Sequence, residues 1–329
     1  MPDPWSLPAA VQFLAEVEPL VRQGGAWVVQ DVSTPAGIVG AMRHVLRHDF
    51  VLHELDCEPE ALPLAQVAEA FGQPGASLQD IGAQDAVLIV SGHALSKKDE
   101  SRWSDFLAGF LASRSDAAVL FLSASLPPGK VPTLAWTMRL RWADAMIWAE
   151  YAVPSGRGGL VQRLAVELAV ELCGWRLDLV ADLVSQREED IVDPMGWLSR
   201  NLDSASPQVA TFGHEVFSCP LQLMAQGEVN ELRRRIWSAH LSVLFPWIED
   251  HRQRLIERYR KTLRVDQHLH SLGVASVEDI EMGALHWQLS RVLQGQELYG
   301  VEALARMRND LAHRKPVRMA DLEQAMRLR

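Results

Sequence analysis

Four short apolar runs, separated by helical patterns, constrain this chain more than any other feature. They are Trp27–Val32, Phe50–Asp56, Asp85–Val90 and Ala117–Leu122. Each is rich in Val, Leu, Ile or aromatic residues, as a strand buried on both faces requires. Between them lie helical segments at Ile38–Arg47, Leu64–Phe71 and Arg102–Ser113, the last burying Trp103, Phe106, Leu107 and Phe110. Strands that alternate with helices rejoin their sheet in parallel, so the pattern predicts a doubly wound parallel sheet. A helix over residues 1–24, stopped by Gly24-Gly25, is expected ahead of it, and a fifth strand within Ala143–Tyr151.

The sheet accounts for residues 1–154 of a 329-residue chain, so further domains are expected. Pro154-Ser155-Gly156-Arg157-Gly158-Gly159 is the clearest linker signal. Amphipathic helices follow at Leu160–Cys173 and Leu177–Ser185, with a partner including Met195–Leu198. Residues 201–220 are rich in turn formers and read as a connection. The last third, 220–329, is helical. A long helix over Glu228–Arg264 is interrupted at Pro246, and further helices fall at Val274–Leu293, Val301–His313 and Ala320–Leu328. The expected architecture is α/β followed by all-α. A sheet domain spans 1–154, a helical lid and linker 155–219, and a C-terminal helical bundle 220–329.

Composition excludes several classes. Hydrophobic residues make up 48% and charged residues 22%, as in an ordinary globular protein. The 11 Trp are expected to anchor cores or interfaces. Cys57, Cys173 and Cys219 are too scattered for a zinc pattern or a disulfide framework, which fits a reducing cytoplasm. His214 and Glu215 near Cys219 do not make a metal site, so no metal or cofactor is expected. No apolar run approaches a membrane span, and no signal peptide is expected. Nor is there a G-x-S-x-G elbow. The net charge is −10, yet residues 221–329 carry 17 Lys and Arg against 14 Asp and Glu. Anionic ligands are therefore favoured only at that end.

The order of elements in the first domain resembles the core of AAA+ and STAND ATPases. That family carries G-x-x-x-x-G-K-[ST] after its first strand, where backbone amides and the Lys hold phosphates. Here the same turn is Ser33-Thr34-Pro35-Ala36-Gly37-Ile38-Val39-Gly40-Ala41-Met42, with no Lys and no hydroxyl after Gly40. The third strand should end in acidic residues. Here it ends Val90-Ser91-Gly92-His93. The resemblance therefore implies a degenerate scaffold that does not hydrolyse ATP, with the lid helices matching those behind an AAA+ core. A fold can outlast its chemistry.

Near the C-terminus stands Arg308-Asn309-Asp310-Leu311-Ala312-His313. An Arg followed at short range by His is common by chance. This chain has it also at Arg43/His48, Arg47/His53, Arg235/His240 and Arg264/His270. Only the last instance adds a polar residue after the Arg, a small one before the His, and a helix end at Pro316. It resembles the R-N-x-x-A-H signature of HEPN domains, helical modules many of which are metal-independent RNases. The resemblance covers at most the last third of the chain. It implies a homodimer, with His313 as acid/base, Arg308 on the scissile phosphate and Asn309 orienting either group. His has a proton mobile near neutral pH, and Arg makes permanent bidentate phosphate contacts. On a helix Asn309 and His313 share a face, whereas Arg308 and His313 stand about 140° apart.

Three functions remain open on the sequence. The first is a HEPN-type endoribonuclease in a prokaryotic defence or stress system, regulated by the degenerate NTPase-like domain. RNA would then be its substrate, and arginines 233, 234, 235, 252, 254, 258 and 260 could track phosphates. Their simplest reading is a solvated helix face. The second is a non-catalytic assembly subunit that contacts a protein partner in a defence complex, with Arg308 in a salt bridge and Asn309 and His313 in structural hydrogen bonds. The third is nucleotide sensing, for which Ser155–Gly159 before a helix is the only candidate anion loop. A plain hinge is the preferred reading of that loop.

Overall fold

A computed structural model describes residues 3–92, 95–113, 115–202 and 209–328. The chain forms two compact units, Met1–Asp144 with Val209–Phe217, and Ala145–Gln208 with Ser218–Arg329.

In the first unit the N-terminal segment breaks into α1 (Pro8–Ala15) and α2 (Val17–Val21). Then follow β1 (Gly25–Val29), α3 (Ile38–Leu46), β2 (Val51–Asp56), α4 (Pro63–Ala70) and α5 (Leu78–Gly82). The unit continues with β3 (Ala86–Ser91), α6 (Lys97–Ala112), β4 (Ala118–Ser123) and β5 (Thr133–Ala135). The five strands form one all-parallel sheet in the order β2-β3-β4-β1-β5. The expected parallel α/β sheet is therefore present. Strand β2 lies at an edge, and its half-exposed residues differ from the buried runs of β1, β3 and β4.

Aromatic side chains fill the core against α6. Trp103 stacks on Phe121 with centroids 5.0 Å apart, and Trp27 lies 4.3 Å from Phe121. Val67, Leu88, Val90 and Phe110 complete that layer. A second cluster joins Trp5, Phe13 and Trp136 edge to face. Gly25 is required by the close approach of β1 and β4: a Cβ there would lie 2.0 Å from the Val119 carbonyl oxygen, and φ is +121°.

The expected fifth strand within Ala143–Tyr151 is a helix, α7 (Trp142–Ala152). Its buried Ala145, Trp148 and Ala149 recur at helical spacing, whereas a strand would bury alternate residues. The true fifth strand is the short run at Thr133.

The second unit takes in α7 from Ala145 onward and continues with α8 (Gly159–Cys173), α9 (Leu177–Ser185), α10 (Glu188–Val192) and α11 (Met195–Arg200). Of the segment expected as a connection, 203–208 lie outside the described residues. The remainder holds a hairpin, β6 (Val209–Phe212) and β7 (Glu215–Ser218). Through Phe212 it packs on Trp142 in the first unit. Then come α12 (Pro220–Ala225), α13 (Val229–Tyr259), α14 (Gln267–Ser271), α15 (Met282–Leu289), α16 (Gly295–Ala312) and α17 (Met319–Met326). Helix α13 runs through Pro246 for 31 residues, without the expected interruption. Pro246 is exposed, so its ring points to solvent and only the one helical hydrogen bond is lost. The helix expected over Val274–Leu293 is shorter, because a 3-10 turn at Val277–Asp279 precedes α15. Helix α8 packs along α13, and α16 packs on α13, α15 and α17. The helices expected as a lid thus share a unit with the C-terminal helices.

Candidate functional site

Helix α16 carries the signature. Val301, Leu304, Met307 and Leu311 are buried at helical spacing and fix which face meets the core. That orientation leaves Asn309 and His313 exposed. Among the described residues neither side chain has a hydrogen-bond partner. Arg308 points elsewhere. Its Nη2 lies 2.8 Å from Glu281 Oε2, and its side chain is 32% exposed against 67% for Glu281. One chain therefore brings Asn309 and His313 to one face and does not join Arg308 to them.

The end of α16 is closed tightly. The amide of Arg314 donates to the Leu311 carbonyl at 3.2 Å, and that of Lys315 to the Asp310 carbonyl at 2.8 Å. This pair of bonds, with Arg314 at φ +57°, is a Schellman closure. Its left-handed position usually holds Gly. Trp237 of α13 reinforces the closure, its indole N–H donating to the Leu311 carbonyl at 2.8 Å. The Arg314 guanidinium lies 5.9 Å from the Trp237 ring centroid. Past Pro316, the Val317 amide donates to His240 Nδ1 at 2.9 Å. Nδ1 accepts, so the neutral ring carries its proton on Nε2. Burial pushes His240 down to about 4, against a smaller opposing contribution from the Val192 carbonyl.

Arg235 and His240 formed one of the chance Arg/His spacings, and both prove structural. Arg235 is buried, with Nη1 donating to the Leu172 and Ser218 carbonyls at 3.1 Å each. His240 is the buried acceptor just described. The other arginines of α13 are largely engaged too. Arg234 bonds Glu231, Arg252 bonds Glu249 and the Glu278 and Ile280 carbonyls, Arg258 pairs with Glu297, and Arg260 with Glu278. A continuous phosphate track along α13 would need those guanidinium groups free. Glu281, Trp237 and Arg314 were not singled out by sequence. The signal that was present is Trp237 and His240, about one turn apart on the long helix.

The turn after β1 is built differently from a phosphate cradle. Asp31 Oδ1 accepts the Ser33 amide at 2.8 Å and its hydroxyl at 2.5 Å. The Asp31 amide donates to Thr34 Oγ1, and Trp136 Nε1 donates to Ser33 Oγ. An internal carboxylate thus takes an amide that an anion would need, and it would repel one. Of the residues ending the third strand, His93 lies outside the described residues. A carboxylate does reach the carboxyl edge of the sheet, from α6. Glu100 Oε1 accepts from Ser123 Oγ at 3.0 Å, and from Ser125.

The loop Ser155–Gly159 is likewise committed. Arg157 donates to the Val184 and Gln186 carbonyls and so caps the end of α9. Cys173 and Cys219 are fully buried, and burial pushes the Cys173 thiol well up, which disfavours nucleophilic chemistry there. Among the described residues no group of three or more His, Cys, Asp or Glu could hold a metal, and no helix is long and apolar enough to cross a membrane. No protein-family model matches the chain, and no curated protein matches it. What is defined is a class: a parallel α/β unit joined to a helical unit.

Proposed function

We propose that the chain is a metal-independent endoribonuclease of HEPN type, with His313 as its acid/base group and a degenerate AAA+ or STAND-like α/β unit as its regulatory part. One observation carries this. Asn309 and His313 are exposed, share the end of α16 and have no side-chain hydrogen-bond partner among the described residues, although polar residues on a bundle helix would serve structure by bonding within it. His313 would take the proton from a 2′-hydroxyl as that oxygen bonds phosphorus, the P–O5′ bond breaks and the leaving 5′-oxygen takes a proton from water. The products are a 2′,3′-cyclic phosphate and a 5′-hydroxyl. A second copy would place its Arg308 against the phosphate, since one chain holds Arg308 away from His313.

The Arg308–Glu281 pair favours a second reading, the assembly subunit, in which Arg308 ties α16 to the start of α15. The experiment is cleavage of total RNA and tRNA in EDTA by wild type and His313→Ala, with end chemistry read. Cleavage that survives EDTA, leaves cyclic ends and vanishes in the variant is expected. Wild type that is silent at concentrations where dimers form moves the assignment to the assembly subunit.

A further inference from the structure

Arg314 follows His313 directly, and its backbone φ of +57° lies in the region where side chains are disfavoured and Gly is the usual residue. The Schellman closure it sits in explains the conformation. It does not explain the choice of Arg. Arg314 is exposed and among the described residues makes no ion pair. Among those residues its side chain's one partner is the Trp237 ring, 5.9 Å from the guanidinium carbon to the ring centroid, at the outer reach of a cation–π contact.

We propose that Arg314, steadied over Trp237, is the residue that grips an RNA phosphate beside His313. This rests on the reading of the α16 end as an RNase site. Arg308 of the same chain is turned away and engaged by Glu281, so the signature arginine leaves His313 without a cation on its own side. Arg314 supplies one. Trp237 also donates to the Leu311 carbonyl, so a single indole fixes both the guanidinium and the helix end that carries His313. A guanidinium beside an aromatic ring, with no ion pair among the described residues, keeps its N–H donors free for two parallel bonds to phosphate oxygens. Lys315 beside it, also exposed, adds a second positive charge. A cation at a helix C-terminus can also simply complement the helix dipole, and that role would be lost together with stability.

The full chain is compared as wild type, Arg314→Gly, Arg314→Ala and His313→Ala. The readouts are melting temperature, cleavage in EDTA, and anisotropy of a fluorescein-labelled single-stranded RNA titrated across salt. Arg314→Gly relieves the backbone and is expected to melt about 2–4 °C higher. It should nevertheless bind RNA roughly fivefold to tenfold more weakly, with a salt slope shallower by about 1. Arg314→Ala keeps the strained backbone, so the same binding loss without the rise in melting temperature is expected. Arg314→Gly that binds and cleaves like wild type, while His313→Ala is inactive, overturns the role of Arg314 and leaves the RNase site standing. Weaker binding accompanied by lower melting in both Arg314 variants assigns Arg314 to structure and also overturns it. Wild type that neither binds nor cleaves RNA removes the site and this role together.

Discussion

Trp237 donates its indole N–H to the Leu311 carbonyl at 2.8 Å, and so pins the last turn of α16 to the middle of the unit. Four carbonyls at a helix end lack intrahelical partners, and this one receives both the Arg314 amide and the indole. Trp237→Phe keeps the apolar contact and removes the donor. A loss of roughly 1 kcal/mol is expected, read as a fall in melting temperature of about 2–4 °C. Unchanged melting would show that the bond contributes nothing net.

Arg308 and Glu281 form an ion pair open to solvent, and such pairs contribute roughly 0–1 kcal/mol. A double-mutant cycle with Arg308→Ala and Glu281→Ala should therefore give a coupling energy below about 1 kcal/mol in denaturant unfolding. The same variants separate the two functional readings. Under the RNase reading Arg308→Ala loses cleavage at nearly unchanged stability, and Glu281→Ala keeps it. A coupling of several kcal/mol would place Arg308 in the scaffold instead.

The sheet was legible because β1, β3 and β4 are buried on both faces, so burial wrote itself into the sequence as unbroken apolar runs. The fifth strand was hidden by its length: Thr133–Ala135 is too short for any period to show. Ala143–Tyr151 misled because its small and aromatic residues suit either structure, and only the burial of Ala145, Trp148 and Ala149 reveals the helix. The hairpin was illegible for the opposite reason. Strand β7 is largely solvated, with Val216 at 78% exposure, and the four-residue β6 buries only Ala210 and Phe212, too few positions to mark a face. At the candidate site the letters of the signature were visible, as was the angle that separates Arg308 from His313. Glu281, Trp237 and His240 come from other helices or their caps, and such pairings exist only once the helices pack.

Gly25 tests the sheet itself. A Cβ at this position would sit 2.0 Å from the Val119 carbonyl oxygen, at a φ of +121°. The atom it meets is backbone in the central β1–β4 pair, which cannot swing aside as a side chain would. Gly25→Ala is expected to cost at least about 3 kcal/mol and to lower the melting of the first unit or its soluble yield. Gly24→Ala is the control, since its Cβ would meet only the end of Leu111 at 3.2 Å, although its φ of +98° still carries strain. Equal behaviour of the two variants would show that the close approach does not limit the fold.

His240 makes the second unit acid-sensitive in a direction the structure fixes. Burial lowers its folded value from 6.5 to about 4, so the folded state holds the ring neutral where the unfolded chain protonates it. The stabilising contribution is complete above about 6.5 and is lost as pH falls toward 4. A shift of this size corresponds to a few kcal/mol, enough to dominate the acid limb of a stability curve. Asn offers an amide oxygen for the Val317 N–H in place of Nδ1 and does not titrate. Wild type should therefore lose melting temperature steadily from pH 6.5 to 4, while His240→Asn, less stable at pH 7 for its lost volume, should show a much flatter profile. Parallel profiles for the two proteins would mean that the acid sensitivity arises elsewhere, and that His240 is protonated in the fold at an ordinary pH.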